Sequence, residues 1–151
     1  MREQSAIEDY QPAEPTSGGI WTELGLPSRG AALFDLIHLG LSFEYLDRVA
    51  NLLQVKREVI AKAICISPTT LSRREKAGRF NAAESDRLLA LIAVYEEALS
   101  LFDGEVSAAR KWMNSRVRGL GSRRPIEMLG TGVETNAVFN LIGRLERGVL
   151  V

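Results

Sequence analysis

The chain has one cysteine and one histidine among its 151 residues, and this scarcity limits the chemistry it can perform. A single cysteine, Cys65, excludes a disulfide framework within the chain. No residues have metal-ligand spacing such as Cys-x-x-Cys or His-Glu-x-x-His. His38 lies between Ile37 and Leu39, so we expect a partly buried structural residue, and Cys65 has no second histidine with which to form a dyad. We expect no enzymatic activity, no metal and no cofactor.

Long hydrophobic runs are also missing. The longest, Leu88–Tyr95, is far shorter than the ~20 apolar residues of a membrane-spanning helix. Residues 1–9 are polar and acidic, unlike a secretory signal peptide. Because 46% of the residues are hydrophobic, the chain has enough apolar material for a core. We expect a cytoplasmic protein with no membrane partner.

The chain has no net charge, with 19 basic and 19 acidic residues, but the charges are unevenly distributed. Residues 56–79 hold seven bases and two acids, and residues 110–124 hold six bases and no acid. Basic zones of this kind are a prerequisite for binding a polyanion. A solvated helix face and a solvated loop would give the same pattern, so charge alone does not decide between these interpretations.

The apolar residues after residue 28 recur at helical spacing, and no segment alternates as a strand would. We therefore predict an all-α fold, with N-caps at Ser28, Ser42, Ser67 and Asn81. Asn81 and Glu84 together have the pattern of a capping box. The predicted helices end near residues 39, 53, 64, 77, 102, 114 and 147, with a basic loop over residues 115–124 and a helical turn after Pro125.

Residues 1–27 contain three of the five prolines and have no sustained period. This composition predicts a flexible N-terminal arm. Two alternatives remain for its end: Ile20, Trp21, Leu24 and Leu26 dock on the domain, or Trp21 anchors a partner.

Two short predicted helices are joined by the turn Cys65-Ile66-Ser67, and the second begins with the Ser67-Pro68 cap. This arrangement is typical of a helix-turn-helix, whose second helix reads DNA bases with its N-terminal residues. An exposed polar helix is the alternative. Cys65 replaces the usual turn glycine, and acidic Glu75 lies inside the recognition helix. The predicted base-edge residues are Ser67, Thr69, Thr70 and Arg73, and the predicted phosphate contacts are Arg74, Lys76 and Arg79.

Several motifs in the second half of the chain occur in a distinctive order. They are Glu84–Leu88, Trp112, Leu120–Leu129 and Leu141–Gly148, preceded by Leu71–Arg74 in the recognition helix. In this order they resemble the Xre/MbcA/ParS family of antitoxins, and the resemblance covers about residues 40–151. The family usually has Gly-Gly where this chain has Gly121-Ser122, and a glycine where it has Thr135-Asn136-Ala137.

The resemblance implies a helix-turn-helix domain over residues 28–81 and a small helical toxin-binding domain over residues 82–151. It also implies a partner toxin with a RES domain, which destroys NAD, and repression of the operon by binding of operator DNA. We further expect a homodimer, because helix-turn-helix proteins usually read paired half-sites. The helix over residues 82–102 is the expected dimer surface.

The toxin must accept an anionic dinucleotide, so its cleft is expected to be electropositive. The apolar C-terminal tail and its carboxylate could then fill that cleft, although the tail could instead pack on its own domain. Trp112 and Met113 are expected to lie in the core. Arg123 and Arg124 could contact either acidic toxin residues or DNA phosphates. The predicted toxin-binding residues are Arg123, Arg124, Arg144, Arg147, Gly148, Val149, Leu150 and Val151.

Two other functions remain open at this point. The chain could be a stand-alone helix-turn-helix regulator whose C-terminal domain only dimerises, or an adaptor that has lost DNA binding.

Overall fold

The computed structural model describes residues 19–148. Within that range the chain is helical and forms only two isolated β-bridges, so the all-α prediction is confirmed. None of these helices combines the length and apolar composition needed to cross a membrane. The α-helices are α1 (Ile20–Leu24), α2 (Ala31–Leu39), α3 (Glu44–Leu53), α4 (Arg57–Ala63), α5 (Pro68–Ala77), α6 (Ala82–Leu101), α7 (Val106–Met113) and α8 (Gly132–Glu146), with short 3-10 helices at Arg118–Leu120 and Pro125–Glu127.

The long helix α6 forms the centre of the fold. Leu88, Leu91 and Tyr95 on it are at most 1% exposed, and α1, α2, α7 and α8 all pack against it. The expectation that α6 is a dimer surface is therefore wrong, because its large apolar side chains are covered within the chain. α6 contacts helices that precede residue 81 in the chain as well as helices that follow it. The domain boundary at residue 81 therefore remains a prediction.

The segment before α2 docks on α6. Ile20, Trp21, Leu24 and Leu26 are buried, so the first of the two alternatives for this segment is the observed one. The arm expected over residues 1–27 therefore contains a packed helix near its end, while residues 1–18 lie outside the described part of the chain.

Helix α2 has no fully buried residue. Leu33, Leu36 and Ile37 are half-buried against the core, whereas Phe34 and Leu39 are 60% and 65% exposed. His38 is exposed, so the expectation of a partly buried histidine is wrong. At 100° per residue, position 38 lies on the side of the helix away from positions 33, 36 and 37.

The predicted helix caps have mixed outcomes. The Ser67 hydroxyl accepts the Thr70 N–H at 3.2 Å, and the capping box of Asn81 and Glu84 is present. Ser28 and Ser42 do not cap helices: the N-cap positions of α2 and α3 are Gly30 and Phe43, without side-chain caps. Ser42 is instead paired through its backbone with Arg79.

The core of the second half includes both residues that the sequence predicts there. Met113 is fully buried, and Trp112 is half-buried against the same cluster. Val138, Leu141 and Ile142 of α8 are also buried, so α8 packs on α6 with its apolar side and exposes the other.

Candidate functional site

The helix-turn-helix consists of α4, the turn at Cys65-Ile66-Ser67, and α5. Cys65 adopts φ +65°, the left-handed conformation that normally favours glycine. The Ile66 N–H donates to the Ala61 carbonyl at 3.0 Å, so the turn is closed by a backbone hydrogen bond. The turn residue between the two helices is therefore left-handed although it is a cysteine and not a glycine.

One face of the recognition helix α5 is free. Thr69, Arg73 and Lys76 are exposed and lie within 60° of one another at 100° per residue. Ser67 and Thr70 lie at the start of the helix, where the Ser67 hydroxyl donates to Thr70 Oγ1 at 3.1 Å. Of the predicted base-edge residues, Thr69 and Arg73 have side chains with no hydrogen bond to another residue in the range 19–148, whereas Ser67 is engaged in capping.

Arg74 lies on the opposite side of α5 and is not available to DNA in the way the sequence predicts. Its Nε and Nη2 donate to the Glu84 carboxylate at 2.6 and 3.2 Å. The two side chains are 21% and 6% exposed. The prediction of Arg74 as a phosphate contact is corrected accordingly: this side chain joins α5 to the start of α6.

Glu84 is charged in this setting. Burial raises its pKa, but hydrogen bonds from Arg74 and the Asn81 backbone, and the charges of Arg74 and Arg87, outweigh burial and hold the pKa below its usual value.

Arg79 follows α5 and is also tied to another part of the domain. Its Nη1 donates to the Gly40 carbonyl at 2.7 Å, and its backbone bridges to Ser42. Of the three predicted phosphate contacts, only Lys76 therefore has no hydrogen bond or ion pair to another described residue.

Glu75 is an acidic residue in a helix predicted to meet phosphates, and the structure gives it a partner. Arg57 of α4 donates to Asp47 at 3.0 and 2.6 Å and to Glu75 at 3.3 Å. The hydrogen bond from Arg57 is also the main reason why the pKa of Asp47 lies below its usual value. Arg57 thus links α3, α4 and α5, and Glu75 holds the recognition helix in place.

The basic loop over residues 115–124 has a defined shape. Val117 and Arg123 form a β-bridge, and Gly121 and Ser122 both have positive φ, +65° and +63°. These angles explain why the family usually has two glycines here. The loop presents the exposed Arg118 and Arg123.

Arg124, at the end of this loop, forms hydrogen bonds on both sides of it. Its Nε donates to the Asn114 carbonyl at 3.0 Å, and its Nη1 donates to Glu127 at 2.9 Å. Among the predicted toxin-binding residues, Arg124 is thus a positioning residue for the loop, while Arg123 is exposed and its guanidinium lies beside Gly121.

The C-terminal end of α8 carries an open groove of about 380 Å³, lined by Phe139, Asn140, Gly143, Arg144 and Arg147. The guanidinium of Arg147 lies over Gly143: a Cβ on that glycine would be 3.4 Å from Arg147 Nη1. Arg144 and Arg147 are exposed and have no ion pair with another described residue. Gly148 ends the helix with φ +71°. The predicted contacts of Val149, Leu150 and Val151 lie outside the described residues.

The two halves of the molecule touch at the turn of the helix-turn-helix. Arg87 of α6 donates to the Ile64 carbonyl at 3.4 Å. A Cβ on Gly130 would lie 3.1 Å from Cys65 Sγ. No sequence pattern signals these contacts, because each joins residues far apart in the chain.

Each half of the chain matches a known protein domain. Residues 32–93 match the antitoxin Xre-like helix-turn-helix domain, and residues 97–148 match the antitoxin Xre/MbcA/ParS C-terminal toxin-binding domain. Antitoxin Xre of Yersinia enterocolitica is 37% identical over 143 residues, covering 93% of this chain and 97% of the relative. Antitoxin Xre of Photorhabdus laumondii is 34% identical over 136 residues, covering 89% and 92%. The chain therefore belongs to the Xre/MbcA/ParS family of antitoxins.

Proposed function

We propose that this chain neutralises a RES-domain toxin by covering its active site, and that it binds operator DNA as a homodimer to repress its own operon. The proposal rests on one observation: a single folded unit contains both a recognition helix and a domain of the toxin-binding type. The turn that precedes a recognition helix with a polar and basic face lies, through Cys65, next to Gly130 of a domain of the toxin-binding type.

DNA binding is supported by the chemistry of the free face of α5. Arg73 has the planar guanidinium that pairs with the O6 and N7 atoms of guanine. Lys76, one turn later, is placed for a phosphate. Because Arg74 and Glu75 are held by Glu84 and Arg57, the helix is fixed in orientation before DNA arrives, which lowers the entropy cost of binding.

Toxin binding is supported by the end of α8. Arg144 and Arg147 border a groove and lead directly into the apolar tail of Val149, Leu150 and Val151. A cleft that takes a dinucleotide must bind both phosphate and an apolar base. The tail supplies apolar groups of the kind that the base pocket binds, and the arginines at the rim of the groove pair with acidic groups around the cleft.

The experiment for the toxin arm is co-production with the RES-domain protein encoded by the adjacent gene. We expect that protein to stop growth and consume NAD when alone, and to do neither when this chain co-purifies with it. A neighbour that is harmless or does not bind would overturn this arm and leave a stand-alone DNA-binding regulator.

The residues of the toxin surface are tested with purified proteins. A chain ending at Gly148, and the double variant R144A/R147A, should each raise the inhibition constant by at least about tenfold. Arg29→Ala is the matched control, because it removes an exposed arginine next to α2. An unchanged inhibition constant for the truncated chain would exclude the tail as a plug.

The DNA arm is tested by titrating the operator region with the chain at several salt concentrations. Lys76→Ala should reduce the slope of log affinity against log salt by about 0.9 for each phosphate that the variant no longer neutralises. Affinity without salt dependence, or no affinity at all, would favour an adaptor that has lost DNA binding.

A further inference from the structure

The free face of the recognition helix α5 contains a polar residue that the sequence-based set of base contacts leaves out. At 100° per residue, Ser72 lies 60° from Thr69 on one side, and Arg73 lies 40° from Thr69 on the other. All three side chains are exposed. Ser72 therefore shares a face with two of the predicted base-edge residues.

Thr70, which is among the predicted base-edge residues, lies elsewhere on the helix. It is 100° from Thr69, beyond Arg73 and away from Ser72. The Thr70 side chain is half-buried, and its Oγ1 accepts a hydrogen bond from the Ser67 hydroxyl at 3.1 Å. The Ser72 hydroxyl, in contrast, forms no hydrogen bond with another residue of the described range 19–148. The hydroxyl in the first turn is thus used within the protein, whereas the hydroxyl of Ser72 is free to bind DNA.

We propose that Ser72 reads a base of the operator, and that Thr69, Ser72 and Arg73 form the base-reading row of α5, without Thr70. The inference rests on the operator binding of the proposed function and identifies the residues that set its sequence preference. A serine hydroxyl both donates and accepts hydrogen bonds. It can therefore pair with either kind of group that base edges present in the major groove.

The spacing along the helix fits a row of base contacts. Thr69 and Ser72 are three residues apart, which corresponds to about 4.5 Å along the helix axis. Successive bases along a DNA strand are about 3.4 Å apart. The two hydroxyls can therefore lie over neighbouring base pairs when α5 runs along the groove.

The size of the side chains also favours contact with bases. The major groove is about 12 Å wide, and a helix with its side chains is about 10–12 Å across. The start of a recognition helix can therefore approach the base edges closely only if the side chains that face them are short. Thr69 and Ser72 are short, and the longer Arg73 lies beside them on the same face.

The charges next to Ser72 disfavour a phosphate contact on its side of the helix. Glu75 lies 60° beyond Ser72. Arg57, which donates to Glu75 at 3.3 Å, also donates to Asp47 at 3.0 and 2.6 Å. These three side chains carry one positive and two negative charges, so a phosphate beside them would be repelled. The Ser72 hydroxyl is therefore better placed for an uncharged base edge than for the DNA backbone.

The test is selection of bound DNA by the full chain from a library of randomised duplexes, followed by sequencing. The wild-type chain gives the reference preference at each position. Ser72→Ala should lower the preference at one base pair by at least about threefold, because one hydrogen bond is lost. Thr70→Ala is the matched control, since it removes a hydroxyl from the same helix and should leave every preference unchanged.

A second substitution tests the same position by a gain of preference. Asparagine pairs with the N6 and N7 atoms of adenine. Ser72→Asn should therefore create a preference for adenine at the position where Ser72→Ala loses one, and Thr70→Asn should create none.

Circular dichroism verifies that each variant folds, and alanine at the exposed position 72 favours a helix. Unchanged preferences in both Ser72 variants, with a sequence-selective wild-type chain, would overturn the inference and leave operator binding intact. New preferences in the Thr70 variants would return Thr70 to the reading row and contradict the proposed one. A wild-type chain that selects no sequence would exclude both the inference and the DNA arm of the proposed function.

Discussion

Arg74 of the recognition helix and Glu84 of α6 are joined by two hydrogen bonds, at 2.6 and 3.2 Å. Glu84 also accepts the Asn81 N–H at 3.0 Å, so one carboxylate closes the capping box of α6 and holds α5. The basic residues of α5 therefore divide into two kinds. Arg74 fixes the helix, while Arg73 and Lys76 face outward.

This division predicts opposite behaviour for two neighbouring arginines. Arg74→Ala should lower the melting temperature, because it leaves the nearly buried Glu84 without its main partner. Arg73→Ala should change the free energy of unfolding by no more than about 0.5 kcal/mol. Arg73→Ala should instead weaken operator binding by about 1–3 kcal/mol and relax specificity at one base pair.

Thermal denaturation and DNA titration of the two variants provide the measurement. Arg74→Lys is the matched control, because lysine keeps the charge but cannot form the two-pronged contact. Equal stability of the Arg73 and Arg74 variants would contradict the assignment.

The pH dependence of stability should carry a contribution from Glu84. The pKa of Glu84 in the folded protein lies below the ordinary value of 4.5. A carboxyl whose pKa is lowered by folding stabilises the fold fully above its ordinary pKa, and this contribution is lost as the pH falls through the lowered folded value. The free energy of unfolding should therefore decline from about pH 5 downward.

Urea titrations between pH 3 and pH 7 measure this decline. Glu84→Gln should be less stable at neutral pH and show a shallower decline. Glu58→Gln, on the exposed surface of α4, is the control. Asp47 and Glu127, whose pKa values are lowered by hydrogen bonds from Arg57 and Arg124, should contribute in the same direction, and Glu97, whose pKa is raised by burial, in the opposite one. A Glu84→Gln profile parallel to the wild type would contradict the assignment.

Gly40 is required where the segment after α2 meets Phe80. A Cβ at this position would lie 2.1 Å from the Phe80 carbonyl oxygen, and φ is +93°. Gly40→Ala should therefore destabilise the fold by at least about 2 kcal/mol.

Gly30→Ala separates the two causes. Gly30 has a similar φ of +85° but no atom within 4 Å of a Cβ, so an alanine there introduces conformational strain without a clash. Denaturant unfolding of both variants should place Gly40→Ala well below Gly30→Ala; equal losses would mean that the contact with Phe80 does not matter.

The sequence is sufficient for features that depend on neighbours along the chain. Ser67 and Asn81 are correctly predicted as caps because the groups that they bind lie three residues ahead. The order of the helices follows from their apolar spacing. Such features need no knowledge of what packs against them.

Sequence-based prediction fails where distant segments decide. Ser42 has the side chain of a cap, but its backbone is paired with Arg79, 37 positions away in the chain. Arg74 and Arg79 resemble free phosphate contacts until Glu84 and Gly40 are placed beside them. For the same reason α6, whose apolar residues suggest a dimer surface, is the centre of the core.

Arg123 and Arg124 are adjacent in the basic loop and should differ when replaced. Arg124→Ala removes bonds to the Asn114 carbonyl and to Glu127, so it should lower stability by about 1 kcal/mol and loosen the loop. Arg123→Ala should leave stability unchanged and affect only binding to a partner. Hydrogen exchange over residues 115–124 distinguishes them, because only the Arg124 variant should exchange faster.

Cys65 adopts a left-handed conformation that costs a non-glycine residue roughly 1 kcal/mol. Cys65→Gly removes this strain but makes the unfolded chain more flexible, and it removes the packing of the thiol on Gly130. Cys65→Ala keeps the strain and removes the same packing. Cys65→Gly should therefore be more stable than Cys65→Ala, by up to about 1 kcal/mol. Denaturant unfolding under reducing conditions measures the difference. An alanine variant as stable as the glycine variant would mean that the turn of the alanine variant relaxes out of the left-handed region. Such a relaxation would shift the N-terminus of α5. The two variants should then differ in how tightly they bind operator DNA.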